Sequence, residues 1–157
     1  INTALGKPEE AYYRALANSF MLSADNAHAV HPNHPEKTDA TNCVYMNEGI
    51  VVKSHAGQKY TSDAVSIAIF RKICEEAGVP VQFFSTRSDM AGGSTLGNIS
   101  STKVAMNAVD IGLPQLAMHS SYETAGVKDT FYMVKAMEMF YRTTLSEVSE
   151  GAWNIDV

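Results

Sequence analysis

Four polar side chains recur at every third position in one short segment of the chain. They are Asp25, His28, His31 and His34, within Ser23-Ala-Asp-Asn-Ala-His-Ala-Val-His-Pro-Asn-His34, which holds three of the protein's five histidines. Carboxylate and imidazole are ligands that divalent metals such as zinc prefer. The pattern therefore predicts a divalent metal site. One version, a mononuclear site made from Asp25, His28 and His31 alone, has suitable ligand types but requires a loop to close around the ion.

Two short apolar runs are expected to position this chemistry. Residues 20–24 read as a buried strand that delivers Asp25 at its carboxyl end, and residues 113–118 read as a strand that delivers His119, with Pro114 at an edge or a first position. Open α/β sheets place their ligands beyond the carboxyl ends of strands, so a sheet could bring Asp25 and His119 together. Pro32 and Pro35 exclude a regular helix through the histidine run, which is therefore expected to be a loop.

The rest of the chain alternates between helix and strand patterns. The first expected helix spans 8–18, and the second is capped by Thr61, Ser62 and Asp63 and ends at Gly78, with an apolar face formed by Val65, Ala68, Ile69, Ile73 and Cys74. A third helix is expected from the glycine-rich stretch 91–97 through Lys103 and Val109. The last helix is capped by Asp129 and runs to Thr143, with Val134, Met137 and Tyr141 on one side. Further strands are expected at 49–54 and 81–85. The predicted fold class is α/β, with a mixed sheet flanked by helices.

Composition limits the classes of protein to which the chain can belong. The 157 residues suit one domain, with 45% hydrophobic and 18% charged residues. The chain has 12 basic and 17 acidic residues and no basic run, which argues against nucleic acid as a partner. It contains neither a long apolar stretch nor a signal-peptide pattern, so the sequence gives no indication of a membrane or secreted protein. A cytoplasmic protein with free thiols at Cys43 and Cys74 is expected. Because Ile1 is not Met, the natural protein is expected to be longer.

The glycine-rich stretch 91–97 does not predict a nucleotide site. Asn98 follows Gly97 where a P-loop requires Lys, and the GxGxxG pattern of dinucleotide-binding proteins is absent. Backbone N–H groups at Gly92 and Gly93 are instead expected to be able to face a substrate carbonyl or its oxyanion.

Five motifs in the same order resemble the aspartyl aminopeptidase family of dinuclear zinc metalloaminopeptidases. They are 23–33, Gly49-Ile-Val-Val-Lys53, Gln58-Lys-Tyr60, Arg87-Ser-Asp89 with Gly93-Ser-Thr-Leu-Gly97, and Pro114-Gln-Leu-Ala-Met-His-Ser120. The resemblance implies an aminopeptidase that uses two zinc ions to remove amino-terminal, acidic residues from peptides. It also implies a homo-oligomer.

The resemblance assigns roles residue by residue. Asp25 matches a ligand of one metal and His119 a ligand of the other, while His28, Lys53 and Tyr60 match residues that line the substrate pocket. His31 receives no clear role, and His34 is expected to be a solvated loop residue. From the residues alone, Lys53 reads as a strand lysine with its ammonium in water, Tyr60 as a buried aromatic, and His55 as a hydrogen-bonded structural residue.

Several groups that such a site requires are absent from the sequence. The family's His-x-Asp ligand pair, its bridging carboxylate and its Glu-Glu pair, which includes the general base, find no match. Residues 1–157 are therefore expected to be the carboxyl-terminal segment of a metallopeptidase catalytic domain, inactive in isolation. The alternative is a non-catalytic α/β binding or assembly module, with Met137, Met139, Phe140 and Tyr141 at an interface.

Overall fold

The computed structural model describes residues 1–157 as an α/β fold built on three sheets. The elements follow in chain order as α1 (Glu9–Ala17), β1 (Phe20–Ala24), β2 (Ala27–His28), a 3-10 turn (Pro35–Lys37), β3 (Ile50–Ser54), α2 (Ala64–Glu76), β4 (Val81–Ser85), α3 (Leu96–Ser101), β5 (Asn107–Gly112), β6 (Pro114–Leu116), β7 (Thr124–Ala125), α4 (Val127–Arg142), β8 (Thr144–Ser149) and β9 (Ala152–Asp156). The predicted class, a mixed sheet flanked by helices, is confirmed.

The main sheet has the strand order β1-β5-β3-β4. Strands β1 and β5 are parallel, β3 and β4 are parallel, and the two pairs meet through an antiparallel contact between β3 and β5. A small sheet of order β2-β6-β7 follows on from it, because β1 leads into β2 and β5 leads into β6. Strands β8 and β9 form a separate antiparallel hairpin.

The hydrophobic core lies between the main sheet and two helices. Ile50 and Val52 of β3 pack in one cluster with Val109 and Ile111 of β5, against α2 and Ala136 of α4. A second, smaller cluster on the opposite side of the sheet joins Val51 and Phe84 to Ala27, Val44 and Tyr60. The alternation along β3 therefore places Ile50 and Val52 in the larger cluster and leaves Val51 and Lys53 on the opposite face.

The structure has a strand, β5, where the sequence predicted a helix that continues through Val109. Every residue from Ala108 to Gly112 is buried, because β5 is an interior strand with a neighbour on each side and packing on both faces. Burial on both faces removes the alternation that would have identified the strand. Helix α3 ends instead at Ser101. Strand β1 also differs from its prediction, since it lies at an edge of the sheet and of its residues only Ser23 is buried.

Helix α2 begins as predicted, with a capping box at Asp63. The Ser66 amide donates to Asp63 Oδ1 at 2.7 Å, and the Asp63 amide donates to Ser66 Oγ at 2.9 Å. Gly78, with φ +62°, ends the helix as expected. The buried face differs from the prediction because Ser66 and Phe70 lie on it and Ala68 is exposed.

Replacing the cap should weaken this helix measurably. Asp63→Ala is expected to lower the free energy of unfolding by about 1 kcal/mol, because the Ser66 amide loses its side-chain partner at the helix start. Urea unfolding followed by circular dichroism measures the change. Asp63→Asn keeps an acceptor and serves as the control; a midpoint for Asp63→Ala equal to that of Asp63→Asn would contradict the capping role.

Helix α4 also begins differently from its prediction. Gly126 is its N-cap, and Asp129 lies inside the first turn, fully buried. The Asp129 carboxylate accepts hydrogen bonds from the amides of Asn47, at 2.5 Å, and Gly49, at 3.0 Å. Val134 and Tyr141 point to solvent, with 60% and 81% of their surface exposed, so the predicted apolar side is wrong for both. Asp129 therefore fastens α4 to the segment before β3.

The two cysteines are free and differ in their surroundings. Cys43 is exposed, whereas Cys74 is buried in the core, where burial raises the pKa of its thiol to about 12. Since the thiolate is the reactive form, iodoacetamide at pH 8 should modify Cys43 alone in the native chain and both cysteines after denaturation. Mass spectrometry of the two cysteine peptides measures this. Labelling of Cys74 at the rate of Cys43 under native conditions would refute the packing described.

None of the helices combines the length and apolar character needed to cross a lipid bilayer.

Candidate functional site

A cleft of about 420 Å³ lies where the main sheet passes into the small sheet. Its walls come from the segment after β1, the end of β3 and β4, the glycine-rich stretch and the turn after β6. All the residues predicted from the sequence to bind metal or substrate line it, namely Asp25, His28, Lys53, Tyr60 and His119. Residues that are far apart in the chain are thus brought to one site, as the strand-end argument predicted.

Asp25 is held by its backbone at the crossing between the two sheets. Its amide donates to the Ile111 carbonyl at 2.9 Å, and the amide of Ala27 donates to the Leu113 carbonyl at 2.9 Å. The two parallel pairs, β1 with β5 and β2 with β6, are therefore joined through Asp25 and Asn26. This leaves the Asp25 side chain exposed in the cleft.

Gly112 is required by this crossing. A Cβ atom at Gly112 would lie 1.7 Å from the Asp25 carbonyl oxygen and 2.8 Å from the Asp25 carbonyl carbon. Only a residue without a side chain lets the two backbones approach so closely.

Lys53 is buried, which overturns its reading as a strand lysine with its ammonium in water. Only 2% of its surface is exposed, and Nζ donates to the carbonyls of Asp25, at 3.1 Å, and Asn26, at 3.4 Å. Burial lowers the pKa of Lys53, and the carboxylates of Asp25 and Asp110 oppose that effect. The ammonium thus holds the crossing segment, and its third N–H remains for a ligand in the cleft.

Tyr60 packs beside the Lys53 ammonium. Nζ lies 5.3 Å from the centroid of the ring, within cation–π distance, and the ring also packs edge-on against Phe84. Burial raises the pKa of Tyr60, and the charges of Asp110 and Asp25 add to the rise, while a hydrogen bond with Thr86 opposes it. The phenol therefore remains protonated at neutral pH and can donate a hydrogen bond.

His55 has the structural role that was expected of it. Its Nδ1 accepts a hydrogen bond from the amide of Gly57 at 2.9 Å, and its ring packs edge-on against Tyr60. A Cβ atom at Gly92 would lie 2.9 Å from Nε2, so the glycine-rich stretch rests against this ring.

His28 and His119 face the cleft from neighbouring parts of the small sheet. His28 ends β2, opposite Gln115, while His119 lies in the turn after β6 with φ +68° and its amide donates to Glu123 Oε1 at 2.7 Å. Burial lowers the pKa of His28, and the nearby charges of His119 and Lys53 lower it further. The His28 ring is therefore neutral at pH 7.

His31 and His34 lie at the cleft mouth. Their ring centroids are 5.4 Å apart. His31 Nδ1 accepts from the amide of Asn33, and His34 Nδ1 lies 3.1 Å from Glu36 Oε1 in an exposed pair. The expectation that His34 is a solvated loop residue is confirmed.

The donor chemistry of the cleft fits zinc in part. Two carboxylates, of Asp25 and Asp39, and four imidazoles line the cleft. Thr41 and Asn42 engage the Asp39 carboxylate, whereas Lys53 and the backbone hold the Asp25 segment without engaging the oxygens of its carboxylate. No group of three His, Cys, Asp or Glu side chains is close enough to hold an ion. The structure therefore does not assemble the mononuclear alternative of Asp25, His28 and His31. Asp25, His28 and His119 are the residues with suitable donors.

Two polar residues near the cleft were not identified from the sequence. Asp110 is fully buried on β5, where the wrong prediction of a helix concealed it. Arg87 was noted only as part of a motif. Its guanidinium binds the carboxylate of Asp89 and the carbonyl of Glu36, and so joins the segment after β4 to the loop that follows His34. A lone Asp in an apolar strand was the one available signal for Asp110.

Comparison with known proteins identifies relatives of this chain. Residues 1–141 match the family model described as aminopeptidase I zinc metalloprotease, M18. The chain is 51% identical over 138 residues to a probable M18 family aminopeptidase 2 from Clostridium acetobutylicum, covering 88% of this chain and 32% of the relative. It is 44% identical over 135 residues to the protein of the same description from Pseudomonas aeruginosa, strain UCBPP-PA14, covering 86% of this chain and 32% of the relative.

Solved structures show the same fold. A chain in the cryo-EM structure of the Ape4 and Nbr1 complex superposes with a TM-score of 0.86 at 37% identity, covering 88% of this chain and 26% of that one. The S. cerevisiae mApe1 dodecamer gives a TM-score of 0.73 at 28% identity, covering 83% and 28%. The chain thus spans about a third of the length of the curated relatives it matches. With the family model matching nine-tenths of its residues, the chain belongs to the peptidase M18 family of zinc metalloproteases.

Proposed function

We propose that residues 1–157 form the carboxyl-terminal segment of the catalytic domain of a dinuclear zinc aminopeptidase. The observation that carries the proposal is the convergence of Asp25 and His119 on one cleft beside a buried lysine. Asp25 is assigned to one metal ion and His119 to the other. The remaining ligands and the general base are assigned to the part of the protein that precedes these residues.

The cleft suits a peptide with a free amino terminus and an acidic first side chain. When bound, zinc polarises the scissile carbonyl and lowers the pKa of a bound water. The third N–H of Lys53 is available to a carboxylate, and Lys53 is the one buried cation in the cleft wall. Tyr60 can donate a hydrogen bond to the substrate, and neutral His28 can either donate or accept one. Together these groups support a preference for amino-terminal Asp or Glu.

The full-length protein is proposed to be a homo-oligomer. Support comes from the relative whose solved structure is described as a dodecamer. Several large apolar side chains are also exposed on this chain, among them Tyr12, Tyr13, Phe131 and Tyr141. Sedimentation velocity of the full-length protein tests this proposal, and a monomer at all concentrations would overturn it.

The function is tested with full-length protein and two chromogenic substrates, the 4-nitroanilides of aspartate and leucine. We expect two zinc ions per chain by atomic absorption, faster release from the aspartyl substrate, loss of activity with 1,10-phenanthroline and its return with zinc. No hydrolysis of either substrate by the zinc-loaded protein would overturn the assignment. Equal kcat/KM values for the aspartyl and leucyl substrates would still support an aminopeptidase but would contradict a preference for acidic amino-terminal residues.

A further inference from the structure

Asp110 is a fully buried carboxylate that has no part in the proposed chemistry. Its Oδ2 accepts hydrogen bonds from the Thr61 amide, at 2.6 Å, and the Thr61 hydroxyl, at 3.0 Å. Its Oδ1 is buried without a hydrogen-bond partner. Burying a charge with half of its acceptor capacity unused is costly. The charge of Asp110 or its contacts must therefore compensate for the cost of its burial.

The position of Asp110 in the sheet indicates how that cost is compensated. Val109 and Ile111 point to the core beneath the helices, so Asp110 points to the face that carries the cleft. On one side it is paired with Ser23 of β1. On the other side, β3 and β5 pair Val51 with Gly112 and Val52 with Ile111, and the next step of that register puts Lys53 beside Asp110. Asp110 therefore lies beside Lys53 in the sheet, on the same face.

Asp110 also binds the segment that forms the neighbouring wall of the cleft. The Thr61 amide and hydroxyl that it binds immediately follow Tyr60, so the carboxylate fixes the backbone that carries the phenol. The charge of Asp110 opposes the effect of burial on the pKa of Lys53 and adds to the rise in the pKa of Tyr60. Two of the three proposed substrate-binding residues, Lys53 and Tyr60, are thus within its electrostatic reach.

The glycine-rich stretch rests on the same carboxylate. A Cβ atom at Gly97 would lie 2.8 Å and 3.0 Å from the two carboxylate oxygens of Asp110, and 2.7 Å from Ser23 Oγ. Helix α3 therefore begins in direct contact with Asp110. One carboxylate touches or supports three walls of the cleft: the lysine strand, the Tyr60 segment and the glycine-rich stretch.

We propose that Asp110 is a positioning residue for substrate recognition, which fixes the Tyr60 segment through Thr61 and supplies a negative charge beside Lys53 in the neighbouring strand. This role rests on the proposed function, because it acts through the residues assigned to the acidic side chain of the substrate. Removing the charge should therefore affect recognition of an acidic first residue more than the hydrolysis step itself.

The test compares Asp110→Asn with Asp129→Asn in the full-length protein. Asp129 is equally buried and also accepts two hydrogen bonds, but its donors are the amides of Asn47 and Gly49 and not Thr61. For Asp110→Asn we expect KM for aspartyl 4-nitroanilide to rise about tenfold with kcat within about threefold, and KM for the leucyl substrate to change much less. Inhibition by free aspartate should weaken in parallel, and zinc content should stay unchanged. Asp129→Asn should lower thermal stability and leave both KM values unchanged.

Thr61→Val provides a second, milder variant that keeps the backbone hydrogen bond and removes the hydroxyl donor. It should raise KM for the aspartyl substrate as Asp110→Asn does, but by a smaller factor. If Asp110→Asn fails to fold, the KM values of Thr61→Val test the positioning role in its place. Unchanged KM values in a folded, active variant, or a loss of zinc that accounts for the defect, would overturn the positioning role alone. A wild-type protein that cleaves neither substrate would overturn the proposed function itself.

Discussion

Asp25→Asn in the full-length protein is expected to reduce aminopeptidase activity on the order of 10³-fold, since metal ions contribute several kcal/mol of transition-state stabilisation. The substitution removes the charge and one ligand oxygen while keeping the size of the side chain. The hydrogen bonds from the Asp25 amide to the Ile111 carbonyl and from Lys53 Nζ to the Asp25 carbonyl do not involve the carboxylate, so the crossing between the sheets should persist. The loss should therefore be chemical and not structural.

Zinc content distinguishes this explanation from misfolding. Asp25→Asn should retain one zinc ion per chain, one fewer than the two proposed for the wild type, with an unchanged thermal transition in the absence of metal. His119→Ala should also abolish activity, since His119 is assigned to the other ion. Asp39→Asn is the matched control, because Asp39 also lines the cleft but its carboxylate is engaged by Thr41 and Asn42 of its own loop. Wild-type rates for both Asp25→Asn and His119→Ala would refute the ligand assignments.

Gly112→Ala is expected to have the largest effect on structure. Because the new methyl would lie 1.7 Å from the Asp25 carbonyl oxygen, the backbone of β5 or of the Asp25 segment must move. Overpacking a buried site costs about 1 to 3 kcal/mol, and a clash with a backbone atom that no rotamer can relieve should cost at least the upper value. The displaced carbonyl is the one that Lys53 binds, so the cleft should also lose its geometry.

Gly78→Ala is the control for this substitution. Gly78 has φ +62° and open space where a Cβ would lie, so alanine there should cost only about 1 kcal/mol through backbone strain. Urea unfolding and zinc content of the full-length variants measure the two effects. If Gly112→Ala proved no more destabilising than Gly78→Ala, and kept its zinc, the close crossing of β5 and Asp25 would be wrong.

Local patterns predicted much of the fold. The strands at Phe20–Ala24 and Val81–Ser85, and the helix capped at Asp63 and ended at Gly78, follow from short apolar runs, a capping residue and a glycine. The β8–β9 hairpin was not predicted, and its strands are mostly exposed. Strand β5 was mistaken for helix because it is buried on both faces. Its neighbours in the sheet, which are distant in sequence, determine that burial.

The candidate site shows the same division between local and tertiary information. By itself, the sequence determined the chemical inventory, the α/β class and the family resemblance, because ligand types, turn residues and motif order are local properties of the chain. Only the tertiary structure decided that Lys53 is buried with its ammonium on the Asp25 segment, and that Asp110 lies beside Lys53 in the sheet. It also decided that His31 and His34 stay at the cleft mouth. The physical reason is that burial and pairing depend on which strands become neighbours, and the pairing of β5 with both β1 and β3 joins residues that no local pattern relates.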